Sequence, residues 1–190
     1  MTADTGERMT DAELADRFRQ DPDLFTEVHD RYFPAIYRYV AARLDTHAAE
    51  DIAAETFLVA FDRRDRFDRE RGELRPWLFG IATNLVSGHR RKEARHYRAL
   101  ARADVTPTAD SHENRVVASV AAQALLPQVA KALSELSQGE RDVLLLVALG
   151  QLGYEEVATA LGVSSGTVGS RLSRARKKLN TILGQEAHDE

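Results

Sequence analysis

Apolar residues recur along this chain at steps of three and four, the spacing of one helix face. Phe25, Val28, Tyr32, Ile36, Val40 and Leu44 mark a long helix, which Pro34 is expected to kink or split in two. A second helix, about Ala48 to Phe61, places Ile52, Phe57 and Phe61 inward and Glu50, Asp51 and Glu55 outward. The stretch from Asp65 to Leu74 is too polar and aperiodic for a buried element and reads as a loop. Pro76 suits the first turn of the next helix, where Trp77, Ile81 and Leu85 recur at spacing four before a basic run, Arg90 to Arg98. Sustained period-two alternation, the signature of strands, is missing.

The pattern then lapses. From Ala103 the sequence mixes Pro, Thr, Ser, Asp and Asn, the composition of a linker, with a helix possible over 116–126 at its end. After Pro127, Val129, Leu133 and Leu136 form another stripe, and Ser137-Gln138-Gly139-Glu140 has the S-x-x-E form of a capping box. The expected architecture is all-α: two small helical domains joined by a flexible linker. Its parts are an extension over 1–20, a domain over 21–102, the linker over 103–126, a second domain over 127–184 and a tail over 185–190.

The second domain carries the sharpest local signal. In Tyr154–Val168, Val157 and Leu161 form the inner face of a short helix, and Ala158 is small where a second helix must approach. Gly162 sits where a left-handed helix end costs little, Val163 plugs the turn, and Ser164 or Ser165 can cap the next helix. Val168, Leu172, Ala175 and Leu179 make that helix's buried stripe, while Ser165, Thr167, Ser170, Arg171 and Arg174 face outward, followed by Arg176, Lys177 and Lys178. Polar groups for base edges and cations for phosphates on one helix are how a helix-turn-helix reads a major groove.

Composition modifies this picture only in its distribution. The net charge of −4 would weigh against a polyanionic partner if spread evenly. Acidic residues crowd the first third, however, and basic ones gather at Arg90–Arg98 and Arg171–Lys178, so local patches set the field. There is no cysteine, which excludes disulfides and cysteine-ligated zinc. No apolar run nears the ~20 residues that span a bilayer, and the N-terminus lacks a secretory pattern; a cytoplasmic protein without membrane insertion is expected. His89 and His96 can share a helix face, yet no carboxylate cluster completes a metal site. No phosphate loop or nucleophile motif is present, so neither cofactor, metal nor catalysis is expected.

With these motifs in order, the chain resembles the extracytoplasmic-function sigma factors of bacterial RNA polymerase. Gly153–Leu179 resembles that family's fourth region, and Leu136–Leu146 its lead-in helices. Ala49–Phe57 resembles the second-region helix that docks on the polymerase clamp, and Pro76–Asn84 the start of the helix handling the −10 element. The resemblance implies three contact sets. Ser165, Thr167, Ser170, Arg171, Arg174, Arg176, Lys177 and Lys178 would meet duplex −35 DNA. Phe67, Asp68, Arg69, Arg71, Asn84, Arg90, Arg91 and Arg95 would meet the melted −10 strand. Glu50, Asp51, Glu55 and Phe57 would meet core RNA polymerase. Trp77 reads as core first and as a stacking surface second. The implied partners are core polymerase, promoter DNA and an anti-sigma factor.

Two positions depart from that family. Gly169 stands where a basic residue is usual, costing ~1 kcal/mol of helix propensity against Ala, and Gly88 stands where an acidic residue often follows the asparagine. The competing reading is a stand-alone helix-turn-helix regulator, which would have no reason to carry the Glu50–Phe57 and Pro76–Asn84 segments.

Overall fold

The computed structural model describes residues 9–102 and 126–186, and every regular element among them is helical. The helices are α1 (Asp11–Phe18), α2 (Phe25–Ala41), α3 (Thr46–Asp62), α4 (Leu74–Arg102), α5 (Leu126–Ser134), α6 (Gln138–Ala148), α7 (Tyr154–Leu161) and α8 (Ser165–Glu186). The linker and the helix suggested for 116–126 lie outside the described residues, save Leu126, where α5 begins.

The segment set aside as an extension contains α1. Thr10 accepts from the Glu13 amide while the Glu13 carboxylate accepts from the Thr10 amide, a complete capping box. Leu14, Ala15 and Phe18 then point into the core and are fully buried. The Phe18 ring lies 6.2 Å from Phe25 and 6.4 Å from Trp77, so α1 closes one end of the first helical bundle.

Pro34 neither splits nor ends α2, which runs unbroken from Phe25 to Ala41. The carbonyl that loses its helical partner belongs to Asp30, and both residues are exposed, so solvent can satisfy it. Asp45 caps α3 by accepting from the Ala48 amide at 3.0 Å. Buried Ala48, Ala49, Ala53 and Ala60 then let α3 lie close against α2 and α4.

The polar stretch before α4 is more ordered than its composition suggests. Two short 3-10 turns, Arg64–Arg66 and Arg69–Arg71, fold it over Phe67, which is 2 % exposed and sits 5.2 Å from the Trp77 ring. Leu74 is buried as well. This corrects the expectation of a loop without buried residues: two apolar side chains pull it onto the bundle.

In the second half, Ser137 and Glu140 form the expected capping box at α6. Arg141 reaches back to the end of α5, donating to the carbonyls of Leu133, Ser134 and Leu136 at 2.8, 3.1 and 3.1 Å. Of the stripe read after Pro127, Leu136 is buried and Leu133 half-buried, but Val129 is exposed; Ala132 takes the inner place instead. Gly162 ends α7 in the left-handed region at φ 64°. Ser164 caps α8 through the Thr167 amide at 3.2 Å.

The two halves share a continuous apolar core, because α4 lies along α7. That packing sets the geometry of every surface considered below.

Candidate nucleic-acid interface

Helix α8 is held by Val168, Leu172 and Ala175, all buried against α6 and α7. Its outer face presents Ser170, Ser173, Arg174 and Lys177, all exposed, with Arg176 exposed on the far side. Ser165 and Thr167 are half-buried, and both hydroxyls are engaged: Ser165 donates to Glu155 at 2.7 Å, and Thr167 pairs with Ser164 at 2.9 Å. Arg171 is half-buried and lies across Gly139, where an added Cβ would meet its guanidinium at 3.0 Å.

One flank of this helix answers to a buried acid. Lys178 donates to Glu140 at 2.7 Å, and Arg174 stands 3.4 Å from the same carboxylate. The Glu140 side chain is 6 % exposed. The Lys178 bond, the Ser137 amide and the Ser137 hydroxyl together hold its carboxyl down to about 2. Glu140 thus caps α6 and anchors α8 at once. The capping box was legible, but its role toward cations about one helix away was not.

Gly169 faces open space, since a Cβ there would meet only the Tyr154 ring edge at 4.0 Å, and Gly88 has no neighbour within that range. Neither glycine is required by packing.

The residues expected around the melted strand divide sharply. Asn84 and Asp68 are exposed, and both line a cavity of about 330 Å³ with Arg63, Arg66, Trp77 and Gly80. Arg91 and Arg95 are exposed further along α4. Arg69 pairs with Asp16 of α1, and Arg90 donates to the Arg43 carbonyl at 2.8 Å, closing the end of α2. The Arg71 side chain lies outside the described residues. Phe67, expected as a strand contact, is 2 % exposed beneath Trp77 and belongs to the wall of the same cavity, so its ring chiefly supports the loop. Trp77 itself is half-buried, with one edge in the core and one on the cavity.

The third set lies on α3. Glu50, Asp51 and Glu55 are exposed along one face. Leu58, one turn beyond Glu55 and 65 % exposed, adds an apolar residue that the sequence reading passed over. Phe57 is 2 % exposed, packed among Phe25, His29 and Phe33 at 6.3, 4.9 and 5.9 Å. It cannot offer its ring to a partner; it fixes the helix that carries the acids. No cluster of three or more metal-ligating side chains occurs among the described residues, and no described helix is long and apolar enough to cross a membrane.

Comparison with known proteins places these surfaces in a family context. Residues 28–96 match the family model for Sigma-70 region 2, and residues 126–179 that for Sigma-70 region 4. The ECF RNA polymerase sigma factor SigM of Bacillus subtilis is 30 % identical over 169 residues, covering 86 % of this chain and 98 % of that protein. Among solved structures, CnrH in complex with the cytosolic domain of CnrY superposes with a TM-score of 0.67 at 28 % identity, covering 92 % of this chain and 97 % of that one. The sigma factor RpoE in complex with the anti-sigma factor NepR from Bartonella quintana gives 0.64 at 25 % identity, covering 84 % and 96 %.

Proposed function

Starting from the ECF RNA polymerase sigma factors, the family to which this chain belongs, we propose a division of its promoter-directing work among three surfaces. As a sigma factor the chain gives core RNA polymerase its promoter specificity. Ser170, Arg174 and Lys177, with Arg171, Arg176 and Lys178 beside them, are the proposed −35 contacts. Cations there supply affinity through phosphates, and the serine and the helix N-terminus supply register and base contact. Asn84, Asp68 and the exposed edge of Trp77 are proposed to receive the opened −10 strand, with Arg91 and Arg95 on its phosphates. A cavity with polar groups, one aromatic face and nearby cations is the equipment for holding unstacked bases.

The acidic face of α3 is the proposed docking surface for polymerase. Glu50, Asp51 and Glu55 steer it toward a basic partner, and Leu58 supplies the apolar contact that charge alone does not. The observation that carries this reading is the presence, on one chain, of an exposed acidic helix face and two separate basic helices, which a stand-alone regulator would not need. Of two structures that resemble this chain over both halves, one holds CnrH with the cytosolic domain of CnrY and the other a sigma factor with the anti-sigma factor NepR. An anti-sigma partner acting in the cytoplasm is proposed here on that basis.

Reconstitution decides the matter. The chain mixed with core polymerase should copurify with it and direct initiation at a promoter selected from random DNA by that same mixture. A chain that binds duplex DNA tightly alone, and neither copurifies with polymerase nor directs initiation, refutes the proposal.

A further inference from the structure

The segment joining α3 to α4 is polar, yet it presents Asp68 to the cavity in one geometry. Its first part is anchored by Phe67, whose buried ring lies beneath Trp77. The turn that follows is held differently, because Asp68, Arg69 and Glu70 are all exposed. Asp68 caps that turn by accepting from the Glu70 amide at 3.0 Å, and Arg69 ion-pairs with Asp16 of α1. The turn carrying a cavity residue is thus tied to α1 by charge.

Helix α1 reaches a second wall of the cavity as well. Phe18 is fully buried and meets the Trp77 ring edge-on at 6.4 Å. Phe67 meets the same indole at 5.2 Å, so Trp77 is gripped between a ring from α1 and a ring from the loop. The helix is itself fixed in place. Its capping box sets where it starts. Arg31 of α2, with a side chain only 17 % exposed, donates to Asp11 at 2.7 Å and to the Met9 carbonyl at 2.6 Å. Position therefore passes from α2 through α1 to two walls of the cavity.

Resting on the reading of the cavity as the −10 site, we infer that α1 belongs to that site's machinery, with Asp16 and Phe18 as positioning residues. Neither lines the cavity. Asp16 fixes the turn behind Asp68, and Phe18 fixes Trp77 from the core side, so both groups are in place before an unstacked base arrives. A loop ordered in advance does not have to be ordered during opening. The difference appears in the rate of opening and in how well the site tells one strand from another. Arg69, expected on the strand itself, serves the site from behind. An exposed ion pair is worth roughly 1.4- to 5-fold in an equilibrium, so the contribution of Asp16 is graded rather than absolute.

Charge reversal separates positioning from simple attraction of DNA. Asp16→Arg, Arg69→Asp and the double variant carrying both are assembled with core polymerase on a promoter selected from random DNA by the native holoenzyme. Each single variant should open promoter DNA about two- to ten-fold more slowly than the native chain, and the double variant, with the pair restored in reverse, should return to within about twofold. Attraction of phosphates alone gives opposite signs, faster for Asp16→Arg and slower for Arg69→Asp. That pattern, or a double variant no faster than the slower single one, overturns the proposal. Phe18→Leu keeps an apolar anchor and removes the ring edge from Trp77. Below its melting transition, its holoenzyme should distinguish the −10 strand from a scrambled strand of equal length about two- to ten-fold less well. Discrimination equal to that of the native holoenzyme overturns the role of Phe18. A native chain that directs no initiation sinks the sigma reading and the role of α1 with it, a result distinct from a native holoenzyme that opens promoters and a reversed pair that changes nothing.

Discussion

Gly80→Ala tests the packing of the two halves with a single methyl group. A Cβ at this position would lie 2.7 Å from the Ala160 carbonyl oxygen, 3.4 Å from its Cα and 3.5 Å from its carbonyl carbon. Carbon and oxygen rest at about 3.3 Å or more, so one backbone must move by roughly 0.6 Å, and no flexible side-chain tip can absorb the shift. Overpacking of this kind costs about 1–3 kcal/mol. With α7 away from α4, the same change gains up to ~1 kcal/mol, the advantage of alanine over glycine inside a helix. The balance between closed and separated halves then moves by about 1–4 kcal/mol, or roughly 5- to 1,000-fold toward separation. Trp77 is the sole tryptophan and borders the same cavity as Thr159 and Ala160, so its emission reports the change directly. The variant should show a red shift and faster acrylamide quenching, and a larger radius of gyration by X-ray scattering. Native-like quenching and radius in a folded Gly80→Ala chain would refute the reasoning, since the contact would then be yielding rather than limiting.

The other expectations are briefer. Reversing Glu50, Asp51 and Glu55 to lysine should weaken copurification with core polymerase at least tenfold while leaving the thermal melting curve in place, because all three are exposed. Alanine at Arg171 and Lys177 should lower initiation in a reconstituted assay and spare polymerase binding. Glu140→Gln should be less stable than the native chain by about 1–3 kcal/mol at pH 7 in urea titrations. The Glu140 carboxyl is held down to about 2 in the fold against roughly 4.3 unfolded. Its contribution is thus full above about pH 5, fades as pH falls through the interval from 4.3 to 2, and leaves the two proteins alike below that. Phe18→Ala should cost about 3–5 kcal/mol in thermal or urea unfolding, as its ring is fully buried between Phe25 and Trp77.

What the sequence disclosed was local. Gly162, the serine caps at positions 137 and 164, and the stripe through Val168, Leu172 and Ala175 are signals a few residues wide, and the structure places each as read, while Leu179 at the end of that stripe is only half-buried. The capping box at Thr10–Glu13, with Leu14 and Phe18 one turn apart, was equally available and marks α1. Phe67 was harder, because its partner Trp77 lies ten residues on and its neighbours are charged. Phe57 stood inward by periodicity, and only the resemblance offered it to polymerase; burial decides for the core. The pairing of Glu140 with Lys178, and of Arg43 with Asp142, joins residues dozens of positions apart. Periodicity carries no information about such pairs, since any exposed-looking charge fits the polar face of its own helix.

Glu140 has a consequence for how this protein should respond to salt. DNA binding by cations releases counterions from the phosphates, and log K falls against log salt with a slope of about −0.9 per phosphate neutralised on duplex DNA. Arg174 and Lys178 already share a carboxylate. When they turn to phosphates they leave that carboxylate to recruit a cation of its own, so part of the released salt is taken back. The −35 surface should therefore show a shallower ionic-strength dependence than its count of basic residues suggests, and Glu140→Gln should steepen it.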